Sequence, residues 1–184
     1  VGIPFRFPET RGFLNCWTSG RGPPEQSISM KETRFSMTLI PGTSFSYRNG
    51  ELYIEDCPLA RIAEAVGTPA YVYSRRAIEG QYRAYEKALE SIPHLICYGM
   101  KACSNLAILN LLGSMGAGVD LVSGGELFRA QRAGIPPERM IFSGVAKTRE
   151  EIRQAVQAGI LMLNVESRME LEAISRVAVE ESRT

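Results

Sequence analysis

LICYGM (95–100), GVDLV (118–122), MIFS (140–143) and ILMLNV (160–165) are the four segments on which the fold turns. Each is short, mostly apolar and bounded by turn-forming residues, which is the pattern of a buried strand. Their starts fall roughly 20 to 25 residues apart, enough for one strand, one helix and two short loops per unit. Three of the intervening helices open on a hydroxyl followed three residues later by a glutamate: Ser123 with Glu126, Thr148 with Glu151, and Ser167 with Glu170. That spacing predicts capping boxes, in which the hydroxyl accepts an early backbone N–H and the carboxylate reaches back to the cap residue. Three helix ends read Ala117-Gly118-Val119, Ala133-Gly134-Ile135 and Ala158-Gly159-Ile160, so a left-handed glycine is expected at each before the next strand.

Strand, helix, strand, helix with short connections requires parallel strands and right-handed crossovers. An open doubly wound sheet and a closed (β/α)8 barrel both satisfy this. No G-x-G-x-x-G follows a strand, which weakens the dinucleotide-binding form of the open sheet, and the even spacing favours the barrel. About four strand–helix units are present, so the fold class is α/β, the N-terminal portion of a barrel.

Upstream of the repeat, Tyr47 to Ile54 reads as a hairpin turning at Asn49-Gly50. Leu59, Ile62, Ala63 and Val66 recur at helical spacing, and Gly67 stops that helix. Ala70–Tyr73 reads as a short strand, followed by a helix with Ile78, Tyr82, Tyr85 and Leu89 on one face and Pro93 beyond its end. Residues 1–36 show neither period and lack the apolar run of a secretory signal. They are expected to be an unstructured or non-native extension, with Met37 as the natural start and 37–184 as the partial barrel domain.

The whole chain has 184 residues, 45 % of them hydrophobic and 22 % charged, ordinary for a globular protein with a real core. A net charge of +1 gives no reason to expect a nucleic-acid or anionic-membrane partner, and no apolar stretch is long enough to span a bilayer. The four cysteines show no metal-ligand spacing and His94 is the only histidine, so no metal site is expected. Reduced thiols point to the cytoplasm.

In a (β/α)8 barrel the chemistry sits at the carboxyl ends of the strands. Reading each strand to its end gives Lys101, then Asp120 and Ser123, then Ser143, then Asn164 and Glu166. Lys101 stands out, because a lysine closing an apolar strand loses hydration unless it is paired, and a free amine is what condensation with an aldehyde needs. The alternative is a rim lysine paired with Asp120 or Glu126. Asp120 sits between Val119 and Leu121 and requires a partner, for which Lys101 on the neighbouring strand is the natural candidate. Glu126 is accounted for by its capping box, Lys147 reads as a solvated loop residue, Cys103 as a small buried side chain and His94 as a loop residue.

Tyr98-Gly99-Met100-Lys101-Ala102 with Ser104-Asn105-Leu106-Ala107 resembles the cofactor-lysine segment of the alanine-racemase-like, fold-type III decarboxylases that use pyridoxal phosphate. The segments 66–74 (VGTPAYVYS), 118–127 (GVDLVSGGEL), 141–148 (IFSGVAKT) and 164–167 (NVES) match the same family in the same order. Gly99 and Cys103 depart from it, standing where the family usually has alanine and asparagine. The resemblance implies a pyridoxal 5'-phosphate-binding barrel followed by a C-terminal β domain, assembled as a homodimer with shared active sites. It implies Lys101 as the catalytic residue that carries the cofactor, with Asp120 and Glu126 near it. The motif wording is that of members acting on a small amino acid, meso-2,6-diaminopimelate, whose D-centre loses CO2 to give L-lysine. Ornithine, arginine or carboxynorspermidine as substrate, and a non-catalytic cofactor carrier, are the alternatives. Much of the family's machinery would lie beyond Thr184, so this chain by itself is expected to be inactive.

Overall fold

The structure, a computed structural model, describes residues 37–38 and 44–183; the expectation for residues 1–36 lies outside the described residues. The described residues divide into two compact units, one up to Gly80 and one from Gln81 onward.

In the first unit, β1 (Met37–Thr38), β2 (Phe45–Arg48), β3 (Glu51–Ile54) and β4 (Cys57–Pro58) form an antiparallel sheet in that order. Arg48 pairs with Glu51 across the expected turn, where Asn49 and Gly50 both adopt positive φ (52° and 80°). This is the handedness that matches the twist of the flanking strands. Helix α1 (Leu59–Val66) follows and stops at Gly67, as its spacing predicts.

The strand expected at Ala70–Tyr73 does not form. Aromatic and β-branched residues favour an extended chain, but a strand exists only where a ladder partner accepts its backbone groups. The segment leads instead to Ser74, which caps the next helix, α2 (Arg75–Leu89), by accepting the Ala77 N–H at 3.0 Å. Ser74 is buried and donates to Glu55 Oε1 (2.7 Å), which also accepts the Arg76 N–H (2.8 Å). A loop carboxylate thus fastens the hairpin to the start of α2. On that helix Tyr82 is buried while Tyr85 is exposed, so the apolar face is narrower than its spacing suggests.

The second unit holds the repeat: β5 (Cys97–Gly99), α3 (Leu106–Ser114), β6 (Gly118–Leu121), α4 (Gly124–Arg132), β7 (Met140–Phe142), α5 (Arg149–Ala158), β8 (Met162–Leu163) and α6 (Arg168–Glu180). All four expected strands are present, each shorter than its apolar run. They pair in parallel in sequence order, β5-β6-β7-β8. Strands laid down in order, each with its own helix, form an arc of a (β/α)8 barrel.

One face of the sheet is dry. Tyr98, Val119, Leu121, Met140 and Phe142 pack against Leu109, Leu127, Ala130 and Ala155 of the helices. The register pairs Gly99 with Asp120 and Asp120 with Ile141, so these positions share the opposite face. Of the three expected glycine helix ends, Gly134 and Gly159 adopt positive φ, but before β6 the left-handed residue is Gly116, not Gly118. Gly118 is needed for a different reason. A Cβ there would sit 2.4 Å from the Arg139 carbonyl oxygen and 2.8 Å from Cys97 Sγ. Gly118→Ala in the complete protein is therefore expected to destabilise it by roughly 1–3 kcal/mol through overpacking against backbone, read from urea denaturation.

Candidate active site

Parallel strands in sequence order place Lys101, Asp120, Ser143 and Asn164 at successive strand ends. The ladder runs on past β5, where the Met100 N–H donates to the Asp120 carbonyl (2.9 Å). The chain then turns, with Ala102 N–H donating to Gly99 O (3.2 Å), and this turn projects Lys101. Met100 beneath it is buried, whereas the Lys101 side chain is exposed. The strand that it follows, β5, is an edge of the four-stranded sheet.

Nor is Lys101 paired. No described residue makes a hydrogen bond or ion pair with it, and both proposed carboxylate partners are engaged elsewhere. Asp120 Oδ1 accepts from Ser143 Oγ at 2.5 Å, and Ser143 Oγ accepts from Asn164 Nδ2 at 2.9 Å. A polar chain thus runs across the ends of β8, β7 and β6 and terminates on the carboxylate. Ser143 N–H donates to Leu121 O (2.8 Å) and Asn164 N–H to Phe142 O (2.9 Å), so both side chains stand on ladder-locked backbone. A serine fixed in this way loses little side-chain entropy on bonding Asp120, whereas a long lysine would lose much more.

Glu126 is taken up by the start of α4. Ser123 Oγ accepts the Glu126 N–H (3.2 Å) as expected, but the carboxylate reaches past the cap residue to the Val122 N–H (2.7 Å). Glu170 likewise passes Ser167 to hold the Glu166 N–H (2.7 Å). Of the three expected capping boxes only Thr148–Glu151 closes on its own cap residue. Glu151 also accepts the Gly124 N–H at 2.8 Å, and the N–H groups of Gly124 and Thr148 hold its carboxyl below the ordinary value.

Lys147 is the residue that sequence reasoning missed. It is not a solvated loop lysine, since its side chain is 1 % exposed. Its ammonium donates to Gly144 O (2.6 Å), Asn164 O (2.7 Å) and Glu170 Oε1 (2.7 Å), which uses all three of its protons. Phe142 covers it, with the ring centroid 5.9 Å from Nζ. The bonds to Asn164 and Glu170 come from residues 17 and 23 positions away, beyond any local pattern. His94 lies in a loop with Nδ1 2.8 Å from Ile92 O, and Cys103 is half-buried, its carbonyl accepting from Tyr98 Oη (3.2 Å).

Residues 75–183 match the family described as pyridoxal-dependent decarboxylase, pyridoxal binding domain. The chain belongs to the pyridoxal-dependent decarboxylases. The diaminopimelate decarboxylase of Pseudomonas aeruginosa is 55 % identical over 137 residues, which is 74 % of this chain and 33 % of that protein. Among solved structures, AQ1208 from Aquifex aeolicus matches at 48 % identity and TM-score 0.72, covering 76 % of this chain and 34 % of that one. Diaminopimelate decarboxylase from M. jannaschii, in complex with L-lysine, matches at 35 % identity and TM-score 0.75, covering 79 % and 35 %. The chain spans about a third of the length of the curated relatives it matches.

The cofactor of this decarboxylase domain is pyridoxal 5'-phosphate. The rim fits its aldehyde end, offering an exposed lysine amine, unpaired among the described residues, after β5 and, on the adjoining strand, a carboxylate held in a fixed orientation.

The Lys147–Glu170 pair carries two expectations for the complete protein. The hydrogen bond from Lys147, and then that from the Glu166 N–H, hold the Glu170 carboxyl below its ordinary 4.5 against the opposing effect of burial. A depressed folded-state value stabilises the fold above the ordinary value, and that contribution is lost as pH falls through the folded one. Acidification below 4.5 should therefore cost the wild type more stability than Glu170→Gln, measured by denaturation across that range. Lys147→Met alone strands the Glu170 charge and should cost roughly 3–5 kcal/mol, read as a fall in melting temperature.

Proposed function

We propose that the complete protein carrying this chain decarboxylates meso-2,6-diaminopimelate at its D-centre to give L-lysine. In this reading Lys101 holds pyridoxal phosphate through its ε-amine. The observation that carries it is the exposed Lys101 amine, unpaired among the described residues, just after β5, with Asp120 on the next strand paired to Gly99. The choice of substrate is supported by relatives named diaminopimelate decarboxylase at up to 55 % identity.

Pyridoxal phosphate, when bound, supplies the electron sink that takes up the electrons of the broken carbon–carbon bond. The chain's own part is positional. Lys101 brings a primary amine to the rim on a turn anchored by the Met100 and Ala102 backbone bonds. Asp120, oriented by Ser143 and Asn164, sets a fixed carboxylate on the strand next to that turn. Glu126 acts through the β6–α4 turn, which it keeps closed by holding the Val122 N–H. The dry face behind the strands keeps these groups at fixed separations.

The protein so assembled works as a cytoplasmic homodimer whose subunits complete each other's sites. None of the described helices is long and apolar enough to cross a membrane.

The test is turnover by the complete protein, supplied with pyridoxal phosphate, on meso-diaminopimelate, L-ornithine and L-arginine. CO2 release is expected from diaminopimelate in clear preference to the others, and Lys101→Ala should abolish it. Equal or better turnover of ornithine or arginine would defeat the substrate assignment, and an active Lys101→Ala variant the role of the lysine.

A further inference from the structure

Two of the three bonds made by the Lys147 ammonium go to the backbone that presents the polar chain. Gly144 O belongs to the residue directly after Ser143, and Asn164 O to Asn164 itself. The third bond goes to Glu170, whose other carboxylate oxygen fixes the Glu166 N–H two residues further along the same loop. The loops after β7 and β8 are therefore tied to one buried cation, and they supply the two side chains that orient Asp120.

We propose that Lys147 is a positioning residue for the cofactor: by fixing the carbonyls of Gly144 and Asn164 it sets the Asn164–Ser143–Asp120 chain, and so sets how tightly the rim beside Lys101 holds pyridoxal phosphate. This rests on the function proposed above. A buried charge pair is a poor means of adding stability alone, because apolar side chains of similar volume commonly do as well or better. What an apolar side chain cannot do is hold two carbonyls of different loops at hydrogen-bond distance from one point. Phe142, directly before Ser143, keeps the ammonium dry and its bonds strong.

The test is titration of the complete apoprotein with pyridoxal phosphate, followed by the absorption of bound cofactor, with melting temperature recorded for each variant. Lys147→Met alone strands the Glu170 charge, so the informative variant is Lys147→Met with Glu170→Gln, which removes both charges and leaves an acceptor for the Glu166 N–H. Ser143→Ala breaks the polar chain at the rim without touching the buried pair. Each is expected to weaken cofactor binding by about tenfold, the scale of one hydrogen bond to a charged group. The combined triple variant is expected to bind no more weakly than either, since both act on the same chain. Unchanged cofactor affinity in the Lys147/Glu170 variant, whatever its melting temperature, would overturn the proposal, as would independent losses that multiply in the triple variant. A wild-type protein that takes up no pyridoxal phosphate would instead overturn the functional reading on which this one rests.

Discussion

Parallel pairing of β5, β6, β7 and β8 in sequence order is the constraint on which the rest depends. Strands that all run the same way bring all their carboxyl ends to one rim, and the loops leaving that rim are free to carry chemistry while the opposite connections only return the chain. Alternation along each strand then separates two tasks. Val119, Leu121, Met140 and Phe142 are fully buried against the helices, while Asp120 in the same strand lies on the other face. A carboxylate can stand between two core residues because its neighbours satisfy the dry face and Ser143 satisfies the carboxylate.

The second unit is also held by charges placed where local structure alone would leave gaps. Glu151 serves its own helix and the Gly124 N–H of α4, so consecutive helix starts are stitched together. Glu170 serves its own loop and Lys147. In both cases a side chain expected to close one local motif also joins two neighbouring β/α units. The Lys147–Glu170 contact contributes geometry more than net energy, because removing two charges from water offsets most of their attraction.

Much of this was legible in the sequence, for identifiable reasons. The four strands are apolar runs punctuated by glycine and capping residues, and the Asn49–Gly50 turn has a backbone requirement that few other residues meet. The rim positions of Lys101, Asp120, Ser143 and Asn164 follow from strand order alone. What could not be read depended on contacts between residues far apart in the sequence. Propensity suggested a strand at Ala70–Tyr73, but it has no ladder to join. Charge complementarity suggests Lys101 for Asp120, yet Ser143, just after the adjoining strand, takes that place and is less costly to order. Lys147 looked like any loop lysine because its burial is decided by Asn164 and Glu170, far along the chain. The Gly118 requirement is likewise a matter of the neighbouring Arg139 carbonyl rather than of its own φ.

The central claim is that one amine among the lysines of this chain condenses with the cofactor's aldehyde. Borohydride reduction of the complete protein loaded with pyridoxal phosphate, followed by proteolysis and mass spectrometry of the labelled peptide, tests it most directly. The account predicts a single reduced adduct on Lys101, within the sequence YGMKACSN (98–105). A reduced adduct on Lys147 or another lysine, or none at all, would contradict it.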